Sequence, residues 1–236
     1  MKILLFFIVI CIAICIAIFS YGELKTAHYI LRQRQDYINK HQLQAVKLPP
    51  IFWRIMKRLG DIAISLAVCM TILPLLYVFL GAIIKLTSKG PIIFKQKRRG
   101  LFEKEFDCYK FRSMYVGFDD RKATPDDERV TAIGRLMRKT HFDEFPQFYN
   151  VLKGDMSIVG PRPLPERQIR LFSGLPQEKA RFLIRPGITG LTQVHSGREL
   201  PPEKYLAYDL EYVFHHSFCD DLHLIVQTLK FSDISY

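Results

Sequence analysis

Cysteine is scarce in this sequence of 236 residues, and its placement excludes a disulfide framework. The five cysteines are an odd number, and none of them forms a Cys-x-x-Cys pair. Cys11, Cys15 and Cys69 lie inside apolar segments, whereas Cys108 and Cys219 stand alone in the more polar remainder. This usage is typical of reduced thiols and indicates a domain on the cytosolic side of a membrane.

Internal repeats and low-complexity tracts are also absent, which excludes a repeat architecture. Acidic residues are fewer than basic ones: 23 Asp and Glu stand against 34 Lys and Arg, a formal net charge of +11. This balance favours anionic partners, namely phosphate ligands, acidic lipid headgroups or nucleic acid. Because the sequence contains no RNA-binding motif of aromatic and basic residues, nucleic acid is the least favoured of the three.

The apolar residues are concentrated in two segments of the first third of the chain. The first segment covers residues 3–20 and, as a helix, would be about 27 Å long, close to the thickness of a hydrocarbon core. A signal peptide is the alternative, but its apolar region usually covers only about 7–15 residues before a small-residue cleavage site. We therefore expect a retained membrane anchor over residues 1–22, followed by a polar, helix-compatible connector over residues 23–50. The C-terminal side of the anchor should face the cytosol, because more basic residues follow the anchor than precede it.

The second apolar segment, residues 62–84, is long enough to span a bilayer but contains Pro74 at its centre. Proline removes one helical hydrogen bond and clashes with the preceding turn. Basic residues flank the segment on both sides, and a spanning helix would leave one of these clusters outside the cell. The pattern therefore favours a re-entrant helix, which enters the membrane, breaks at Pro74 and returns, over a proline-kinked spanning helix.

Beyond the second apolar segment, the sequence has the pattern of a water-exposed domain. Apolar runs over residues 92–94 and 106–111 flank a basic turn at Gly100 and predict a β-hairpin. The charged stretch over residues 119–129 is interpreted as a surface loop. Apolar residues at helical spacing predict three helices, over residues 130–137, 206–214 and 222–229.

Residues 142–152 carry the most informative local pattern. Thr140, with the acid Asp143 three residues later, predicts the start of a helix, and Gly154 is a typical C-terminal stop. Asp143 and Glu144 would then occupy the first turn, where the helix dipole favours an ionised carboxylate.

This acidic pair is surrounded in the sequence by basic residues and by two rigid turns, over residues 154–163 and 185–190. The basic residues are Arg135, Arg138, Lys139, Arg162 and Arg185. Arginine suits bidentate phosphate binding, and a carboxylate among arginines could hold Mg²⁺ or attack phosphorus. Acidic residues in a first turn are more often simple caps, but the neighbouring membrane segment favours a site where the phosphate of a lipid would lie.

Several motifs follow one another in a fixed order from Lys57-Arg58-Leu59-Gly60-Asp61 to near the C-terminus. The most specific are Asp143-Glu144-Phe145-Pro146-Gln147, Asn150-Val151-Leu152-Lys153-Gly154-Asp155 and Val159-Gly160-Pro161-Arg162-Pro163. Further ones are Tyr109-Lys110-Phe111-Arg112-Ser113-Met114, Ile133-Gly134-Arg135 and Arg185-Pro186-Gly187-Ile188-Thr189-Gly190. In these motifs the sequence resembles the bacterial sugar transferases, the monotopic phosphoglycosyl transferases of polysaccharide and glycoconjugate assembly.

The resemblance implies a mechanism. Asp143 would be the nucleophile that attacks the β-phosphate of a UDP-sugar, UMP would leave, and polyprenyl phosphate would attack the aspartyl-phosphosugar intermediate. Glu144 would complete the catalytic dyad, and Mg²⁺ held beside Asp143 would offset phosphate charge. The residues expected to bind substrate, mainly at its phosphates, are Arg138, Arg162, Arg185, Arg112, Lys110, Asp209 and Asp221.

The sequence departs from the family pattern at two places. Leu73 precedes Pro74 where a Ser-Pro pair often marks the break in the re-entrant helix. His195-Ser196-Gly197-Arg198 stands where Asn-Gly-Arg is common, in a loop that bears on the choice of sugar.

The expected fold is α+β: a mainly helical, membrane-associated transferase domain over residues 51–236, with a re-entrant helix, a small β-hairpin and an extra N-terminal transmembrane helix. It would lie in the bacterial cytoplasmic membrane, with its catalytic domain facing the cytoplasm, as a monomer or homodimer. Its expected partners are the lipid bilayer, a UDP-sugar and polyprenyl phosphate, but not nucleic acid. The alternatives are a membrane-tethered protein that binds nucleic acid or lipid through its basic surface, and an inactive scaffold of the same fold. The intact pair of Asp143 and Glu144 argues against the scaffold.

Overall fold

The computed structural model describes residues 29–43, 50–117, 127–195 and 200–230. The predicted anchor over residues 1–22 and most of the predicted loop over residues 119–129 lie outside these ranges. The chain divides into two compact units, Met1–Leu43 and Gln44–Tyr236. In the first unit, residues 29–41 form helix α1, in agreement with the helix-compatible composition of this stretch.

The second unit begins with two helices, α2 (Ile51–Met70) and α3 (Ile72–Thr87), which are bent by 45° at Thr71. Pro74 explains the bend, because it has no N–H to donate to the carbonyl of Met70 and its ring clashes with that carbonyl. The break predicted at Pro74 therefore lies three residues earlier, at Thr71, and Pro74 occupies the first turn of α3.

Within the described residues, no single helix has the length and apolar composition needed to cross a bilayer, whereas α2 and α3 together satisfy both criteria as a bent pair. Both helices expose large apolar side chains. These are Phe52, Trp53, Leu59, Ile64, Leu66, Met70, Ile72, Leu75, Tyr77, Val78, Phe79 and Leu86. Extended apolar surfaces are typical of lipid-binding or protein-binding regions.

Polar contacts fix another face of α2 to the rest of the unit. The carboxylate of Asp61 accepts hydrogen bonds from the hydroxyl of Ser157 at 2.7 Å and from the N–H of Ile158 at 3.2 Å. Arg58 donates to the carbonyl of Val151 at 2.9 Å. These contacts set the apolar helix pair in a defined position relative to the acidic segment that follows.

The predicted β-hairpin is confirmed: β1 (Ile93–Arg99) and β2 (Glu105–Phe111) pair antiparallel. A 3₁₀ turn (Leu101–Glu103) lies in the connection. In β1, Gln96 and Arg98 are partly buried, whereas the lysines that alternate with them are exposed. Because successive side chains of a strand point to opposite faces, Gln96 and Arg98 share the inner face of the hairpin.

Three short helical elements follow the hairpin. They are α4 (Ala132–Lys139), a 3₁₀ turn (Phe142–Glu144) and α5 (Gln147–Lys153). The single helix predicted over residues 142–152 is therefore divided, and Thr140 does not start it. Instead, the hydroxyl of Thr140 donates to the carbonyl of Leu136 at 2.9 Å and closes α4. Gly154, with a φ of 87°, ends α5 as predicted.

The two segments predicted as rigid turns contain a parallel pair of short strands, β3 (Ser157–Val159) and β4 (Gly187–Thr189), which the sequence did not predict. Glycine is required at position 187, because a Cβ there would lie 2.1 Å from the backbone nitrogen of Gly160. The N–H of Gly187 donates to the carbonyl of Pro161 at 2.9 Å. The strand pair thereby fixes the start of the segment that carries Arg162.

The remaining elements are helical. They are α6 (Glu166–Ile169), two 3₁₀ turns (Arg170–Phe172 and Glu178–Leu183), α7 (Leu191–His195), α8 (Pro202–His215) and α9 (Phe218–Lys230). α8 and α9 contain the helices predicted over residues 206–214 and 222–229. The main core includes Val151, Val159 and Leu224 and so joins α5, β3 and α9. The fold is mainly helical with a small antiparallel hairpin, as the α+β prediction states.

Candidate active site

Asp143 and Glu144 lie in the short 3₁₀ turn between α4 and α5. His141 precedes the turn with a φ of 56°, a left-handed conformation that is unfavourable for a residue with a Cβ. Its carbonyl accepts the N–H of Glu144 at 3.1 Å and closes the turn. Pro146 is the N-cap of α5. The acidic pair is thus held in a tight turn between two helices.

Asn150 of α5 sets the distance between this turn and strand β2. Its side-chain oxygen accepts the N–H of Tyr109 at 3.0 Å, and its amide nitrogen donates to the carbonyl of Asp107 at 2.7 Å. Asn150 is fully buried, so these bonds satisfy groups of β2 on the edge that β1 does not cover. As a result Lys110, which is the next residue of β2, reaches Glu144.

Two cations contact Glu144. The Nζ atom of Lys110 lies 2.5 Å from its Oε1 atom, and the Nη2 atom of Arg162 lies 3.8 Å from the same oxygen. Burial alone would raise the pKa of Glu144, but the charges of Lys110 and Arg162 outweigh burial and lower this pKa to about 2. Glu144 is therefore a fixed anion at neutral pH.

Asp143 has a different environment. The residue is only 6% exposed, and its carboxylate makes no hydrogen bond within the described part of the chain. Burial raises its pKa to about 6, an effect that Lys110 opposes and Glu144 reinforces. The direction is opposite to that expected from a helix dipole, because the acidic pair lies in a 3₁₀ turn and burial has the largest effect on the pKa of Asp143. At neutral pH Asp143 is mostly ionised, and no hydrogen bond from the described residues engages its oxygens.

Arg138 approaches the acidic pair from α4. Its Nε atom donates to the hydroxyl of Ser113, just beyond the end of β2, at 2.9 Å. This approach requires glycine at position 134, because a Cβ there would lie 1.9 Å from the carbonyl oxygen of Ser113. The charge of Arg138 lowers the pKa of Asp143 and so counteracts part of the effect of burial.

A pocket opens beside Glu144, and its lining residues do not include Asp143 or Arg138. Its walls include Lys110, Glu144, Arg162, Arg98 and Gln147. Arg98 donates to the carbonyl of Pro163 at 2.9 Å, and its buried Nε atom has no partner among the described residues. The sequence did not single out Arg98; the signal that could have found it is the alternation of Gln96 and Arg98 with lysines in β1. Three cations against one carboxylate suit a ligand that is rich in phosphate.

Comparison with known proteins shows to which family the chain belongs. The sequence model of the bacterial sugar transferases matches residues 52–232. The chain belongs to the bacterial sugar transferase family. The resemblance that its motifs carry is thereby confirmed.

Three relatives show what share of the length of other bacterial sugar transferases this chain covers. It is 40% identical over 216 residues to the UDP-glucose:undecaprenyl-phosphate glucose-1-phosphate transferase of Klebsiella pneumoniae, covering 85% of the chain and 45% of the relative. It is 40% identical over 179 residues to the uncharacterized sugar transferase EpsL of Bacillus subtilis, covering 75% of the chain and 86% of the relative. It is 34% identical over 206 residues to the UDP-N-acetylgalactosamine-undecaprenyl-phosphate N-acetylgalactosaminephosphotransferase of Aeromonas hydrophila, covering 84% of the chain and 48% of the relative. The chain thus spans less than half of the first and third relatives and most of the second.

Two arginines that the sequence offered for substrate binding lie away from this pocket. Arg112 is buried and donates to the carbonyl of Ser88 at 2.8 Å, which ties the end of β2 to the end of α3. Arg185 donates through its Nε atom to the carbonyl of Gly154 at 2.8 Å, at the end of α5. These contacts stabilise the sugar transferase fold, and a part in phosphate binding stays a prediction for both.

The two later aspartates are likewise held by side chains outside the pocket. Asp209 pairs with Arg181 at 2.8 Å. Asp221 pairs with Lys57 of α2 at 2.6 Å and accepts the hydroxyl of Tyr212 at 2.5 Å. Asp221 therefore joins α2 to α8 and α9, and its predicted part in substrate binding stays a prediction.

Asp143 is the residue expected to hold Mg²⁺ in this sugar transferase. Across the described ranges, no group of three or more His, Cys, Asp or Glu side chains could form a site built from protein ligands alone. Mg²⁺ more commonly takes one or two carboxylates together with waters and substrate phosphates. The carboxylate of Asp143 fits this donor set because its oxygens are not engaged, whereas Glu144 is bound by Lys110.

Proposed function

We propose that this sugar transferase moves a sugar-1-phosphate from a UDP-sugar to undecaprenyl phosphate, or a similar polyprenyl phosphate, and releases UMP. The relatives from Klebsiella pneumoniae and Aeromonas hydrophila are named for transfers of this kind. The proposal rests on one observation. Asp143 has a buried carboxylate whose oxygens make no hydrogen bond with the described residues, and it lies next to Glu144, which Lys110 binds. The reaction would be the first membrane step in the assembly of a polysaccharide or glycoconjugate.

The proposed reaction has two half-reactions. In the first, a carboxylate oxygen of Asp143 attacks the β-phosphorus of the UDP-sugar; a bond forms between them, the bond from phosphorus to the UMP oxygen breaks, and UMP leaves with the electron pair. In the second, an oxygen of polyprenyl phosphate attacks the same phosphorus, and Asp143 leaves as a carboxylate. A covalent intermediate divides one difficult transfer into two easier steps.

The pKa of Asp143 suits a nucleophile. A value of about 6 leaves the carboxylate mostly ionised at pH 7 and makes it more basic than an ordinary carboxylate. Lys110, Arg138 and Arg162 supply positive charge where negative charge collects in the transition state. Mg²⁺, when bound at Asp143, would offset further charge on the substrate phosphates.

Glu144 has a different proposed role. A pKa of about 2 makes it too weak a base to take a proton at neutral pH. Its contacts with Lys110 and Arg162 support a role in orienting these two cations toward the substrate. The dyad thus combines a nucleophile with an electrostatic anchor.

We propose that α2 and α3 form the re-entrant segment in the cytoplasmic membrane, with the catalytic unit on the cytosolic side. The exposed apolar side chains of both helices, their bend at Thr71 and the basic residues at both ends support this placement. Asp61 and Arg58 hold the segment to the catalytic unit through polar contacts. The phosphate of a membrane-bound polyprenyl carrier would then reach the pocket.

A transfer assay tests this function. The full chain in lipid nanodiscs is incubated with Mg²⁺, undecaprenyl phosphate and radiolabelled UDP-glucose or UDP-N-acetylgalactosamine. The expected result is label in the organic phase and an equal amount of UMP, with Asp143→Asn as the inactive control. If no UDP-sugar of a wider panel labels the lipid, the result favours the alternative of an inactive scaffold or lipid-binding protein of the same fold.

A further inference from the structure

Arg181 and Asp209 form an ion pair inside the catalytic unit, and neither residue lines the pocket. Their Nη2 and Oδ2 atoms are 2.8 Å apart, and their side chains are 3% and 1% exposed. Thr192 donates to the other carboxylate oxygen at 2.7 Å, and the guanidinium of Arg181 lies 5.1 Å from the centre of the Phe172 ring. Buried ion pairs contribute little to stability because desolvation offsets their attraction. Stability alone therefore does not account for this pair.

The ion pair contacts the backbone of Arg162. Arg181 donates through Nη2 to the carbonyl of Arg162 at 2.8 Å. The backbone of Arg162 also lowers the pKa of the Asp209 carboxyl group, against the effect of burial. From this fixed backbone the side chain of Arg162 extends to within 3.8 Å of Glu144.

The residues on either side of Arg162 cannot replace this anchor. Pro161 and Pro163 have no backbone N–H, so the N–H of Arg162 is the one backbone donor between positions 161 and 163. The carbonyls of the two prolines already accept bonds from Gly187 and Arg98, both at 2.9 Å. The position of Arg162 therefore depends on the donor that Arg181 provides, and Asp209 holds Arg181 in place.

We propose that Arg181 and Asp209 are positioning residues for Arg162, which place its guanidinium beside Glu144 without touching the substrate. The inference rests on the proposed function, because it assigns the pair a role in the same site. It also explains why charged side chains occupy this buried position. The backbone carbonyl of Arg162 accepts a bond from Arg181, and an apolar side chain could not supply this donor.

A double-mutant cycle in the full chain tests the inference. Arg181→Met/Asp209→Leu fills the buried space and removes both charges, a replacement that buried ion pairs usually tolerate. This variant should keep the wild-type melting temperature or exceed it, yet lose at least about tenfold in kcat/KM for the UDP-sugar that the chain accepts. In an Arg162→Ala background, the same replacement should change kcat/KM by less than about twofold, because the group that it displaces is already gone.

Two further variants complete the design. Asp209→Asn keeps the side-chain shape and should lose less activity than the apolar double variant. This loss should likewise occur only when Arg162 is present. Asp127→Asn is the matched control, because Asp127 and Arg129 form an ion pair at 2.6 Å with 8% and 7% exposure that does not line the pocket. Whatever effect Asp127→Asn has should be the same in both backgrounds.

Full activity of Arg181→Met/Asp209→Leu, or a loss that persists undiminished in the Arg162→Ala background, would overturn the positioning role. If the apolar variant does not fold, the Asp209→Asn cycle decides the question by the same criterion. UDP binding is measured by isothermal titration in every variant. A wild type that binds UDP without transferring any sugar disproves the proposed function, and the cycle on Kd then still decides whether the ion pair acts through Arg162.

Discussion

Lys110 and Glu144 form an ion pair at the centre of the candidate site, with 2.5 Å between Nζ and Oε1. The pair joins the β-hairpin to the turn that carries the acidic residues, and Asn150 holds these two elements together through the backbone of β2. Arg162 approaches the same oxygen of Glu144 from a third segment. Glu144 is thus the residue at which the hairpin, the acidic turn and the Arg162 segment meet.

Lys110→Met is expected to lower kcat/KM for the UDP-sugar by about 10²–10³-fold, because it removes a fixed positive charge from the transition state and leaves Glu144 less compensated. The matched control is Lys97→Met on the same hairpin, whose exposed pair with Asp107 is 2.9 Å long. This control should change the rate by less than about twofold. Equal losses in the two variants would show that the position of Lys110 has no special role.

The raised pKa of Asp143 predicts an acidic limb in the pH–rate profile. Only the ionised carboxylate is nucleophilic, so kcat/KM should fall about tenfold per pH unit below about pH 6 and level off above it. Glu144, with a pKa of about 2, should contribute no limb in this range. Since Lys110 lowers the pKa of Asp143, Lys110→Met should move the limb to higher pH. Initial rates from about pH 4.5 to 8 test this; a rate that does not fall down to pH 4.5 contradicts the assignment.

Asp143→Asn should stabilise the fold while it abolishes transfer. The pKa of Asp143 in the folded state, about 6, lies above its ordinary value of 3.8. The protonated carboxyl group therefore makes its full contribution to the stability of the fold below about pH 3.8, and this contribution is lost as the pH rises through about 6. At pH 7.5 the buried, ionised carboxylate therefore destabilises the fold by at most about 3 kcal/mol. The variant should raise Tm by at least about 2 °C at pH 7.5 and leave Tm unchanged at about pH 4.

Asp107→Asn is the control for this experiment, because Asp107 is paired with Lys97 at the surface and that partner lowers its pKa. It should not raise Tm at either pH. A lower Tm for Asp143→Asn at pH 7.5 would mean that the ionised Asp143 stabilises the fold, contrary to the effect of burial.

Local sequence patterns predicted the helices and strands that are long enough to show a repeating pattern of apolar residues. The hairpin strands and helices α8 and α9 follow from alternation and from helical spacing, because burial of one face sets the period. β3 and β4 have three residues each, too few to define a period, and were not predicted. Thr140 fits the start of one helix as well as the end of another, and only the tertiary position of α4 decides between them.

The residue types of the candidate site were predictable, but their contacts were not. The adjacent acids Asp143 and Glu144 and the surrounding basic residues indicated phosphate chemistry. Which acid has the higher pKa depends on Lys110 and Arg162, which come from other elements. Arg112 shows that residue type alone does not identify a phosphate-binding residue. An arginine that binds the end of a helix looks the same in the sequence as one that binds phosphate.

The membrane assignment of α2 and α3 predicts that both ends of the helix pair face the cytosol. Single cysteines at positions 54 and 89, in a background without native cysteines, should resist a membrane-impermeant maleimide added to intact cells. Both should react after the cells are opened, and an engineered cysteine in a known periplasmic loop of another protein serves as the positive control. Labelling of position 89 alone from outside would show a spanning helix. Pro74→Ala restores a backbone donor to Met70 and should favour such a straight helix.

The covalent step is the central claim, and mass analysis of peptides tests it most directly. The full chain is incubated with Mg²⁺ and the UDP-sugar but without polyprenyl phosphate, then quenched and digested. We expect UMP release in proportion to enzyme, and a peptide containing Asp143 that is heavier by one sugar phosphate and reverts when polyprenyl phosphate is added before the quench. Glu144→Gln should form this adduct only in small amounts, and Asp143→Asn should form none. An unmodified Asp143 peptide, together with UMP that appears only when both substrates are present, would contradict the account and leave direct attack by the lipid phosphate.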